Sequence, residues 1–211
     1  MLGDPSESKL DPKERRRVAA HESGHAIVAH FAEHAEPLHR VSIIPRGMAL
    51  GVTQQTPGAD RHIMTEPELE SRLKVLMGGY AAERTVFGDV STGAENDLRE
   101  ATKLATKMVA NYGMSKKLGA VYYEHESEHP FLGQRIATDS GASDATVNTI
   151  ETEARTVLAR ALEGAQELIK RRRAELDKLV IALLEQETIE RSGLVALLGE
   201  SVEAPIPAVA T

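Results

Sequence analysis

Residues 18–29, Val-Ala-Ala-His-Glu-Ser-Gly-His-Ala-Ile-Val-Ala, decide how this chain is read. His21 and His25 stand four apart, so a helix points both imidazoles the same way, one turn above the other. A single zinc ion can then take both rings, with Glu22 beside the metal's open position. Val18, Val28, Ala29 and Ala32 share that side of the helix, which turns the pair inward. Gly24 is costly inside a helix, and its presence predicts a second segment packed close against the backbone there. The plainer alternative is a buried histidine pair hydrogen-bonded to a neighbouring helix.

Upstream, Asp11-Pro12-Lys13-Glu14 has the form of a helix start: Asp as N-cap, Pro in the first turn, Glu three residues on. The helix is expected to run to about Ala35, ahead of Pro37. Lys13, Arg15, Arg16 and Arg17 read as a solvated face, and residues 1–10 as a flexible lead-in. Downstream, residues 40–47 and 49–56 are short and extended in character, broken by Pro45 and Gly47, and predict two strands of a small sheet. Ala49, Leu50, Gly51, Val52 and Thr53 suit an edge strand that could align an extended peptide by backbone hydrogen bonds. A plain hairpin beside the helix fits the same residues.

Thr65-Glu-Pro-Glu68 predicts a second capped helix, with Leu69, Leu73, Leu76, Met77, Tyr80 and Phe87 at helical spacing. Gly78-Gly79 interrupts it where another helix is expected to come close. Glu83 falls on that apolar face and needs a partner: the N–H of a metal-bound imidazole, or an ordinary buried ion pair. Thr92-Gly-Ala-Glu95 predicts a third capping box and a helix to about Tyr112, stopped by Gly113. Its inward face reads Leu98, Ala101, Leu104, Ala105, Met108 and Tyr112, and Asp97 shares it. A core-facing Asp needs a cation, which makes Asp97 the candidate third metal ligand; a helix-dipole carboxylate is the alternative.

Residues 113–142 read as a long loop with an extended piece at 121–123, and with His125 and His129 exposed. Residues 143–198 read as helical, with one apolar stripe at Val147, Ile150, Val157, Leu158, Leu162, Leu168 and Ile169. Leu176, Leu179, Val180 and Leu183 form a second, and Arg171, Arg172 and Arg173 between them are expected to face solvent or another subunit. Residues 200–211 read as a disordered tail.

Composition narrows the chemistry. The 211 residues contain no cysteine, so any zinc must be held by His and carboxylate, the ligand set of catalytic sites. A net charge of −7 argues against nucleic acid as a partner, and the absence of Trp with only 3% aromatics argues against a base-stacking platform. With no apolar run of membrane-spanning length, the polypeptide as given reads as soluble. The extended zinc motif with a third His is excluded, because its Gly and His positions are occupied by Val28 and Phe31. His30 and His34 point away from the pair, so a distant carboxylate must complete the site.

Several blocks in order, HESGHAIV (21–28), VSIIPRGMALGVTQQTP (41–57), LMGGYAAERTVFG (76–88) and STGAENDLREATKLATKMV (91–109), resemble the peptidase domain of the FtsH family of ATP-dependent zinc metalloproteases. YGMSKKLG (112–119) and FLG (131–133) also fit, and the likeness covers residues 11–199, comprising an active-site part, 11–142, and a carboxy-terminal helical part, 143–199. The resemblance implies a mainly α fold with a small β-sheet beside the active-site helix. It implies His21, His25 and Asp97 as zinc ligands, Glu22 as the catalytic carboxylate, polypeptide substrates and a homo-hexameric ring. Members of the family usually have Ala where this chain has Ser23, and a second acid where it has Arg84. They also normally carry an AAA+ ATPase module and a membrane anchor, facing the cytoplasm or lying in organelles; neither is seen in these residues. The expected activity is endoproteolysis of unfolded or flexible chains, the alternative being a catalytically silent ring-forming domain.

Overall fold

The computed structural model describes residues 11–45, 51–55, 63–123 and 142–201. Asp11 opens α1 (Pro12–Phe31): its carboxylate accepts from the Lys13 and Glu14 N–H groups, and Glu14 reaches back to the Asp11 N–H. Such a reciprocal cap is worth about 1 kcal/mol. The helix stops at Phe31, a turn earlier than its sequence suggests. Ala32 is already extended (φ −81°, ψ 136°) and His34 takes a left-handed φ of +62°. The early exit turns the chain back onto the helix, where Ser71 of the next helix donates to the Glu33 carbonyl.

The turn delivers β1 (Leu38–Ser42), which pairs antiparallel with β2 (Val52–Gln55), Val41 lying opposite Thr53. The predicted hairpin therefore exists, with shorter strands than expected. On its other side β1 pairs antiparallel with β3 (Thr188–Glu190), giving the order β2-β1-β3 and leaving β2 at an edge. Residues 188–190 were expected to be helical. Glu187, at a φ of +60°, ends the preceding helix, and β-branched Thr188 and Ile189 suit a strand. The Thr188 and Ser42 hydroxyls lock the pairing at 2.8 Å.

α2 (Glu66–Leu76) starts at the expected Thr65–Glu68 capping box, and α3 (Gly78–Phe87) follows after a break at Met77. A 3-10 turn at Thr92–Ala94 leads into α4 (Glu95–Ala110); the capping side chain is Ser91 rather than Thr92, accepting from the Gly93 N–H. Ala101, Ala105 and Met108 of α4 are buried, but Leu98 and Tyr112, expected to face inward, are 39% and 50% exposed. Residues 121–123 form no strand, although Tyr123 is tied to α4 by hydrogen bonds with Ala110 and Asn111. The carboxy-terminal run divides into α5 (Asp144–Arg171), α6 (Arg173–Gln186) and α7 (Arg191–Leu198). Its arginines are not simply solvated: Arg172 stacks on Phe31 at 4.2 Å, and Arg173 pairs with Asp177 and donates to the Thr85 carbonyl.

This is a mainly α fold with a small antiparallel sheet, and α1 runs through its centre. Every residue from Val18 to His30 is buried, polar ones included. The side chains of Ile27, Val28, Leu73, Leu176, Leu179 and Leu183 belong to the same core. His30 is buried with Nε2 bonded to the Gly199 carbonyl, and burial lowers its pKa. Among the described residues no helix is long and apolar enough to cross a membrane. Residues 1–10, 202–211, His125 and His129 lie outside the described residues.

Candidate metal centre

Close backbone packing sets the level of the site. A Cβ on Gly24 would run into the carbonyl of Gly78, and one on Gly78 would sit 2.8 Å from the carbonyl of Gly24. The two glycines let α1 and α3 approach as expected. One residue further along α3, a Cβ on Gly79 would occupy the imidazole of His21. The ring therefore rests flat against bare backbone and has little room to turn.

Each histidine has its Nδ1 committed to an acceptor. His25 donates from Nδ1 to the Val75 carbonyl at 2.7 Å, and His21 donates from Nδ1 to Glu83 Oε1 at 2.8 Å. Those bonds fix both tautomers and leave the two Nε2 lone pairs facing each other, 3.1 Å apart. Asp97, in the first turn of α4, closes the triangle: its Oδ2 is 3.0 Å from His21 Nε2 and 3.2 Å from His25 Nε2. A tetrahedral zinc with bonds near 2.0–2.1 Å holds neighbouring ligand atoms about 3.3 Å apart. Three inward-facing ligand atoms at that spacing suit a zinc ion.

The electrostatics agree. Burial works against charge on His21, yet hydrogen bonds to Asp97 and Glu83 raise its pKa from 6.5 to about 10. Burial likewise pushes Glu83 up, but His21, Arg17 and Ser91 outweigh it and hold the carboxyl at about 2. Asp97, also opposed by burial, is kept below the ordinary carboxylate range by the two imidazoles. The cluster is built to hold positive charge.

Glu22 is buried beside the pair, and burial raises its pKa despite His25, His21 and the Thr53 hydroxyl. Gly51, Val52 and Thr53 form the other wall of an 890 Å³ cleft that His21, Glu22 and His25 line. Ala49 and Leu50 lie outside the described residues. Glu83 is 1% exposed, and its two oxygens accept from His21, Arg17, and both the N–H and hydroxyl of Ser91. Of its two expected partners it has both, the imidazole N–H and an ion pair.

Arg17, read from the sequence as solvated, holds Glu83 and Asp89 at 2.8 Å each and lies over the Phe87 ring at 4.5 Å. Its spacing carried a signal, since residues 17, 21 and 25 share one helix face. Ser91 and Thr53 were missed as side-chain partners, because their acceptors are brought in by tertiary packing.

The sequence matches peptidase family M41 over residues 8–197. It is 45% identical over 189 residues to the ATP-dependent zinc metalloprotease FtsH of Nitrosococcus oceani, covering 90% of this chain and 30% of that protein. Similarity to the protein of the same name from Thermobaculum terrenum is 42% over 207 residues, 98% of this chain and 32% of the relative. With the ATP-dependent zinc metalloprotease FtsH 4 of Sphaerobacter thermophilus it is 41% over 210 residues, 100% of this chain and 32% of the other. The chain thus spans about a third of the length of these relatives.

Proposed function

The chain belongs to peptidase family M41, and on that premise we propose that it is a zinc-dependent endopeptidase acting on unfolded or flexible polypeptides. The observation that carries this reading is the triangle of His21 Nε2, His25 Nε2 and Asp97 Oδ2, with both Nδ1 atoms already engaged. Zinc bound there would lower the pKa of a water toward 7 and stabilise the negative charge that develops on a peptide carbonyl oxygen.

The remaining work falls to this chain's own residues. Glu22 removes a proton from the attacking water as its oxygen adds to the carbonyl carbon. As the C–N bond breaks, Glu22 passes that proton to the departing amine. The free edge at Gly51–Thr53 aligns the substrate backbone by strand addition, which favours extended chains over folded ones and makes sequence preference loose. Glu83 orients His21, and Val75 orients His25.

By analogy with relatives named ATP-dependent, an AAA+ ATPase module would supply unfolded substrate to this part, and a homo-hexameric ring would enclose the sites. Digestion of casein with and without a chelator tests the reading, alongside Glu22→Gln. The variant is expected to keep its zinc and lose hydrolysis by about 100- to 10,000-fold. Undiminished cleavage by Glu22→Gln would sink the mechanism. Zinc binding by a wild-type chain that never cleaves would favour a catalytically silent assembly domain.

A further inference from the structure

Gly51, immediately before β2, and Thr53, two residues on within it, both face Glu22. A Cβ on Gly51 would lie 2.6 Å from Glu22 Oε1 and 2.7 Å from its Cγ, so the carboxylate occupies the space that the missing side chain leaves. Thr53 Oγ1 is 2.7 Å from Glu22 Oε2 and 3.1 Å from the Glu22 carbonyl. A hydroxyl has one proton, and the shorter contact to the charged oxygen takes it. Among the described residues this is the only hydrogen bond made to the Glu22 carboxylate.

We propose that Thr53 is a positioning residue for the general base: its hydroxyl anchors Oε2 of Glu22, turning Oε1 toward the cleft as the oxygen that takes and returns the proton. The inference rests on the peptidase reading of Glu22 and adds a role that the strand's backbone does not supply. A glutamate side chain turns about three bonds, and a carboxylate free to rotate presents the wrong oxygen, or neither, for much of the time. One hydrogen bond on Oε2 removes that freedom without consuming Oε1. The bond survives both protonation states: when Oε1 carries the proton from water, Oε2 remains an acceptor, and when Oε1 releases it to the amine the carboxylate is restored. The same strand would then hold the substrate by its backbone and the base by its side chains, keeping the two in register.

Thr53→Val keeps the shape and the strand backbone and deletes only the hydroxyl, whereas Thr53→Ser restores it. For a wild-type chain whose cleavage is chelator-sensitive, Thr53→Val should lower kcat about 10- to 100-fold with KM within about twofold. Zinc content and Tm should not move, and Thr53→Ser should recover most of the loss. A rise in KM at constant kcat would assign Thr53 to substrate binding and overturn the proposal, as would equal kcat values for the Val variant and the wild type. A crystal structure of Thr53→Val gives a readout without turnover: the Glu22 carboxylate is expected to leave its seat beside Gly51. A carboxylate unmoved in the Val variant would overturn the positioning role, even if the wild type proves inactive and the peptidase reading itself fails.

Discussion

The two neighbours in the pentapeptide, His21 and Glu22, are held in opposite ways. His21 lies against Gly79 with no room for a Cβ, and its Nδ1 is bonded to a carboxylate that three other contacts, one from Arg17 and two from Ser91, keep in place. Glu22 leans on an edge strand and is held by one hydroxyl. The proposed metal side is pinned by helices packed through their backbones, while the proposed base leans on the element that would receive substrate. A metal ligand gains from rigidity, because affinity depends on keeping three atoms at fixed spacing. A proton carrier must serve two different partners in turn, so it needs alignment more than confinement.

The contrast breaks most readily at Gly79. Gly79→Ala places a methyl group inside the His21 ring, and zinc affinity is expected to fall by more than about 100-fold, beyond the usual cost of losing an outer partner. Competition against a chromophoric chelator reads this directly; near-normal affinity would mean that the ring is less confined than its contacts imply. Glu83→Gln sharpens the same point with a smaller effect. It removes the charge that Arg17 and His21 share, and zinc affinity should drop about 10- to 100-fold in the same competition while α1 stays folded by circular dichroism.

The smallest effect is expected at Ser23, on the side of α1 away from the cleft chemistry. Its hydroxyl is wholly buried, with no hydrogen-bond partner among the described residues. Ser23→Ala should therefore stabilise the fold, by about 1 kcal/mol, as a modest rise in the thermal midpoint, and leave zinc affinity unchanged. A fall in the midpoint would reveal a partner for the hydroxyl.

What could be read from the sequence was local. The Asp11 and Thr65 caps, the inward turn of His21 and His25, and the close approach at Gly24 and Gly78 all follow from helical period and backbone sterics. The direction of Asp97 was also accessible from the wheel of α4. The same wheel failed for Leu98, near the start of that helix, and for Tyr112, two residues past its end, where the face runs past the core and into solvent. Arg17 escaped notice because Glu83, its partner, is 66 residues away. β3 was missed for a like reason: three residues carry little periodicity, and the strand they join is fixed by a contact 146 residues distant.

That short strand ties the half of the chain that carries the histidine pair to its far end. β1 stands between β2, which cradles Glu22, and β3, which begins only after α6 has ended. A polypeptide stopping before residue 143 would contain His21, Glu22, His25 and Asp97, yet β1 would be left with a bare second edge and no neighbour there to steady it. Loss of α5, α6, β3 and α7 should thus be felt first at Glu22, through a sheet reduced to a single hairpin.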